Sequence, residues 1–172
     1  MILRAARIGC LGGLALAVLA ACSSDDIPEP CPAFVRLPEA ARLVEYVGAG
    51  RDLTDVSFEA TIGQIGLICE YDDNVVEGEL DITFVASEGP ANPERVAVLR
   101  YFVAIATRDQ QILTREEFAL QVPFQGNLTR LAVTEQLSPR IPLQPGQSGA
   151  SYVIYVGFVL NEEQLETNRK NL

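Results

Sequence analysis

The sequence predicts an all-β domain, a two-layer sandwich of about seven to nine strands followed by a short C-terminal helix. Three observations carry this. Apolar and polar residues alternate with a period of two through much of the chain after Pro30, the pattern of strands with one face in a core and one in water. Clusters of Gly, Pro, Asn and Asp fall between these runs at near-regular spacing. A clear helix-start signal occurs only near the C-terminus.

In chain order, Glu39 to Tyr46 suits a turn or two of helix or, through Val44 and Val47, a strand. Val56, Phe58, Ala60 and Ile62 alternate with Ser57, Glu59 and Thr61, and Gly63-Gln64-Ile65-Gly66 reads as the turn that follows. Asp72-Asp73-Asn74 is the next turn, after which Leu80, Ile82 and Phe84 alternate with Glu79, Asp81 and Thr83. Beyond Gly89-Pro90 and Pro93, Val96 to Ala106 is largely apolar on both faces, as expected of a central strand covered on both sides. Turns follow at Arg108-Asp109-Gln110, Gln125-Gly126-Asn127 and Pro145-Gly146-Gln147, and Tyr152 to Leu160 reads as a second central strand. Pro123, Pro139 and Pro142 lack a ladder donor, so their strands belong at edges or bends. Tyr101-Phe102, Tyr152, Tyr155 and Phe158 sit at core spacing. Finally, Asn161 can cap a helix whose Gln164 reaches back to it, with Arg169 and Lys170 at the negative end. The pattern resembles immunoglobulin- and fibronectin-type sandwiches.

The N-terminal segment is of another kind. Arg4 and Arg7 precede roughly 14 uncharged residues, Ile8 to Ala21, which match the charged and apolar regions of a secretory signal. The run is short of the ~20 residues that cross a bilayer. It ends in Leu19-Ala20-Ala21-Cys22, which resembles the lipobox of bacterial lipoproteins. The resemblance implies cleavage before Cys22, a diacylglycerol on its sulfur, and a membrane contact made by lipid. Ser23 and Ser24 stand where Asp would favour the inner membrane, so the resemblance implies a periplasm-facing anchor in the outer membrane. The expected organisation is a signal peptide at 1–21, a lipidated tether at 22–30 and the sandwich at 31–172. Residues Ser23 to Pro30 reach about 30 Å at most when extended, so the domain sits close to the bilayer.

Composition narrows the function. With 48% hydrophobic and 21% charged residues the chain is globular rather than disordered. Its formal charge is −10, from 13 basic and 23 acidic residues; losing Arg4 and Arg7 with the signal makes the mature charge −12. Such acidity, with no run of Lys or Arg, excludes an electrostatic footprint for nucleic acid. Of four cysteines, Cys10 leaves with the signal and Cys22 takes the lipid. Cys31 and Cys69 remain in an oxidising compartment and predict a disulfide. A reactive or metal-binding pair is the alternative, but metal sites need three or four ligands and the chain has no histidine.

The absence of histidine also excludes Ser-His-Asp and Cys-His catalysis. A Ser-Lys dyad would have to use Lys170 in the terminal tail, and Gly146-Gln147-Ser148-Gly149 is a turn and no nucleophile elbow. Glu116-Glu117 and Asp72-Asp73 are adjacent, and adjacent strand residues face opposite ways, which disfavours a glycosidase pair. No cofactor is expected. Glu70, Asp72, Asp73, Asn74, Glu77, Glu79 and Asp81 form the densest polar group; Asp72, Asp73 and Asn74 are weak calcium candidates, against a solvated hairpin. Arg100 interrupts the apolar central strand and needs either a carboxylate partner or a position whose head reaches water. Two functions remain as expectations. The first is a non-catalytic interaction or accessory module docking an envelope protein. The second is a carrier of a small ligand or calcium ion.

Overall fold

The computed structural model describes residues 29–172; the expected signal segment, Cys22 and most of the tether lie outside the described residues. Nine strands form two sheets, and one short α-helix follows. The strands are β1 (Ala33–Arg36), β2 (Arg42–Tyr46), β3 (Val56–Asp72), β4 (Val75–Glu88), β5 (Val96–Thr107), β6 (Ile112–Pro123), β7 (Arg130–Leu137), β8 (Arg140–Pro142) and β9 (Tyr152–Phe158), and the helix is α1 (Glu162–Lys170). One sheet has the order β1-β9-β5-β6 and the other β2-β3-β4-β7, with β8 paired to the end of β4 beyond β7. All pairings are antiparallel except β1 with β9. The expected all-β sandwich with a short C-terminal helix is therefore what the chain builds, with its own strand order.

Alternation places the core. Phe58, Ala60 and Ile62 of β3 and Leu80, Ile82 and Phe84 of β4 face Leu99 and Tyr101 of β5 and Ile154, Val156 and Phe158 of β9, all nearly or fully buried. The Phe84 ring lies 4.7 Å from Tyr101 and 5.9 Å from Phe158, centroid to centroid. Each such side chain contributes about 1.5–3 kcal/mol by leaving water. Tyr152 joins the core as expected, whereas Phe102 and Tyr155 are only half-buried, on the outer face.

Two expectations need correction. Gly63-Gln64-Ile65-Gly66 is no turn, because β3 runs straight through it. Ile62 pairs with Phe84 and Ile65 with Ile82, so Gly63 and Gln64 together oppose Thr83 in a β-bulge. The extra residue switches the inward positions from even (Phe58, Ala60, Ile62) to odd (Ile65, Leu67, Cys69, Tyr71), and both sets pack on the core. A Cβ at Gly63 would sit 3.3 Å from the Thr83 carbonyl oxygen, so the tight apposition suits glycine. Secondly, β5 is covered on both faces only from Val103 to Ala106; nearer its start Val98 is 47% exposed. Arg100 belongs to that open stretch, with its side chain 67% exposed and 3.6 Å from Glu117. Its head reaches water because no element lies over it. Of the two readings of Glu39 to Tyr46, the strand is the one that forms, as β2 after a single 3-10 turn at Pro38–Ala40. The prolines lie where expected, with Pro123 closing edge strand β6, Pro142 closing β8, and Pro139 in the link between β7 and β8.

Candidate functional site: the open side of the sandwich

Cys31 and Cys69 form a disulfide with their Cα atoms 5.8 Å apart. Beside it the Tyr71 hydroxyl donates to the Pro30 carbonyl (2.8 Å) and accepts from the Gly149 N–H (2.7 Å). The chain is thus pinned where it enters the domain. Asp72, Asp73 and Asn74 are brought to the tip of the β3–β4 hairpin, where Asp73 adopts a φ of 49° and the Asn74 carbonyl accepts from the Leu143 N–H (2.7 Å). Glu77 pairs with Arg140 at 2.7 Å, and Gln136 donates to Glu79 and Asp81 at 2.9 and 3.1 Å. Among the described residues no three His, Cys, Asp or Glu groups converge to hold a metal ion. The acidic stretch is a solvated sheet face.

The four sheet edges differ in cover. Strand β2 lies beneath α1, whose capping box closes as expected: the Asn161 side chain accepts from the Gln164 N–H (2.9 Å) and the Asn161 N–H donates to Gln164 (3.0 Å). From that helix, Gln164 donates to the Val44 carbonyl (3.0 Å) and Asn168 to the Glu39 and Arg42 carbonyls (2.9 and 2.7 Å). These side chains satisfy acceptors that a bare edge would show to solvent. Strand β1 has four residues, and its Arg36 donates across to the bulge carbonyls of Ile62 (2.7 Å) and Gly63 (3.1 Å), tying the two sheets together.

The other side is open. Strand β6 has 12 residues and among the described residues pairs only with β5, while β7 pairs only with β4. Phe118, Leu120 and Val122 of β6 point inward and pack on the core, Phe118 stacking on Tyr101 at 5.2 Å between centroids. Two residues earlier the same inward row carries Glu116. On β7 the inward row Leu131, Val133, Leu137 is likewise interrupted by Glu135, which accepts a hydrogen bond from the buried Tyr101 hydroxyl. Burial first, and then this carboxylate, raise the Tyr101 phenol above its ordinary value, so it stays a neutral donor. On this side a groove of about 400 Å³ runs down to Leu80, Val103, Ile105 and Leu137, rimmed by Glu116 and Arg140. Val103 and Ile105 are each 8% exposed, against 0% for Leu99 and Tyr101 on the same row. Neither Glu116 nor Glu135 has a cation partner among the described residues; Arg140 is engaged by Glu77, and Arg100 and Arg115 by Glu117. The adjacent Glu116 and Glu117 do face opposite ways, as strand geometry requires.

Sequence reading missed this groove. Its signal was legible in part, since Glu116 stands at the end of an inward apolar row and Glu135 within one. Which two strands share an open side depends on the sheet order.

No protein-family model and no curated protein matches the chain. Among solved structures it is similar to the variable (V) domain of the AgI/II polypeptide BspA of Streptococcus agalactiae, at 12% identity and a TM-score of 0.20, over 73% of this chain and 77% of that one. A likeness of that degree carries no argument about function.

Proposed function

We propose that the chain is a lipoprotein anchored through Cys22 in the outer membrane, facing the periplasm, whose sandwich is a non-catalytic interaction module of an envelope complex. The observation that carries this is the uncovered 12-residue edge β6 beside an apolar-floored groove, on a domain whose other side is fastened. An unpaired edge of that length is an offer of backbone hydrogen bonds to another chain. Pinning at Pro30 and Cys31 suits a short leash, which would hold the domain within reach of one membrane-bound partner.

Crosslinking in intact cells tests it, comparing the tagged wild type with a Cys22→Ala form secreted without lipid. One abundant envelope protein, enriched with the anchored form and depleted with the other, is the expected result. The absence of any reproducible partner would sink the reading. The groove volume of about 400 Å³ also keeps a second reading, a small-ligand carrier, because ligand pockets start near ~300 Å³. Its exposed rim counts against it, since such pockets bury most of the ligand. The calcium form of that reading places the ion at Asp72, Asp73 and Asn74, and an unchanged Tm on adding calcium would remove it.

A further inference from the structure

Resting on that reading, we propose that β6 accepts an added antiparallel strand from a partner segment whose inward-facing side chains run apolar, basic, apolar, with the basic residue opposite Glu116. Strand β6 ends its sheet, so a further strand would lie about 4.8 Å away and extend the sheet over the groove. Directly opposed residues of an antiparallel pair have Cβ atoms about 4.5–5.5 Å apart. A Lys or Arg facing Glu116 would therefore reach its carboxylate without strain, with the Glu135 carboxylate on the facing edge strand adding to the same negative potential. The two flanking inward positions of the added strand would face Phe118 and Thr114, above the apolar floor formed by Val103, Ile105 and Leu137. Apolar side chains fit there.

Charge selects this occupant over a second copy. A two-fold antiparallel pairing of β6 with itself sets Glu116 against Glu116 or Glu117 against Glu117 when centred on either residue, and like charges directly opposed are destabilising. Centring on Phe118 instead sets each Glu116 against Leu120 and leaves both inward carboxylates without a cation. Centring on Arg115 opposes two arginines. The full chain carries a formal charge of −10, so a basic segment is also drawn in at long range, whereas another copy is repelled.

The test uses the full chain carrying Cys22→Ala and, as probe, the synthetic peptide Thr-Val-Thr-Lys-Thr-Val-Thr, with a version bearing Glu in place of Lys as control. Amide hydrogen exchange is followed by NMR during titration. The expected result is protection of alternate amides between Ile112 and Pro123, slowed about tenfold or more at saturation. Binding of the lysine peptide should weaken about tenfold in Glu116→Lys, which corresponds to the loss of one close charge contact, and should be unchanged in the charge control Glu70→Lys. Three outcomes overturn the proposal: protection mapping to other strands, equal binding by both peptides, or β6 amides already protected in a concentration-dependent manner because a second copy pairs there. Failure of both peptides with an envelope partner still captured in cells would sink the strand addition and leave the interaction module standing. Peptide binding with no partner in cells would do the reverse.

Discussion

The two sides of this sandwich meet the same physical problem in opposite ways. An edge strand shows unpaired backbone groups to its surroundings, and a protein must cover them or make them unattractive to the wrong partner. At β2 the chain covers them, and at β1 it keeps the exposed edge to four residues. Gln164 and Asn168 of α1 satisfy carbonyls at and beside β2, Arg36 bridges to the bulge, and the Cys31–Cys69 bond fastens the entry of the chain. On the β6/β7 side none of the described residues is laid over the edge. Two inward-pointing carboxylates stand along it, Glu116 at the groove rim and Glu135 on β7 against the Tyr101 hydroxyl. Cover is permanent, since displacing it means undoing a helix. Charge is conditional, since it repels copies of the same chain yet admits a segment that brings a cation. The comparison teaches that the open side is managed rather than neglected.

Breaking the fastened side should cost most at its covalent point. Replacing Cys31 and Cys69 together by serine frees a loop whose ends are 38 residues apart, and the chain-entropy model gives a loss of about 4 kcal/mol. Urea unfolding monitored by circular dichroism measures it. Amides of β1 and its partner β9 should lose exchange protection before those of the β5–β6 pair. A uniform loss over both sides would show that the fastening is not local.

A smaller effect is expected from uncovering β2. Gln164→Ala and Asn168→Ala each leave partly buried backbone carbonyls without donors, costing about 1 kcal/mol apiece. The double variant should lose about the sum, because the two side chains bond different carbonyls. Far less than additive loss would mean that α1 detaches as a unit once either contact is gone.

These contacts mark the boundary of what the sequence discloses. Local signals were legible: the alternation at Leu80, Ile82 and Phe84, the capping box of Asn161 and Gln164, and the prolines at edges each rest on a few neighbouring residues. The bulge was misread because glycine beside a polar residue has the same composition in a bulge as in a turn. The clue that separates them, the change of inward parity from Ile62 to Ile65, appears only when both flanks are read as one strand. The cover of β2 was not legible at all. It joins Gln164 to Val44 and Asn168 to Arg42 across more than a hundred residues, and nothing in either segment names the other. The groove lies between these cases, for Glu116 ends a visible apolar row, while the strand that faces it across the groove depends on sheet order.

On the open side, pH provides a probe. The Tyr101 phenol is raised in the folded state, chiefly by burial and then by Glu135. The stabilisation from the neutral form is therefore complete below the unfolded tyrosine value of about 10, and is lost as pH climbs from there through the folded value. Tyr101→Phe should remove that alkaline decline while costing about 1 kcal/mol at neutral pH for the missing hydrogen bond. Thermal melts of both proteins from neutral to alkaline pH check it. Parallel curves would place the decline in other groups.

The smallest change in stability should carry the clearest lesson about the edge. Glu116→Val extends the inward apolar row of Phe118, Leu120 and Val122 by one position on a strand whose rim is exposed, so folding stability should shift by no more than about 0.5 kcal/mol. The association state should nevertheless change, because the substitution removes the inward charge that makes β6 a poor partner for its own copy. Sedimentation should show concentration-dependent dimers that the wild type lacks. Glu45→Val provides the comparison, since it removes a carboxylate from β2, the edge that α1 already covers, and it should leave the protein unassociated. If both variants associated alike, cover and charge would not be separate devices. If neither did, Glu116 would not be what keeps β6 unpaired, and the groove would owe its openness to the backbone of β7 and β8 instead.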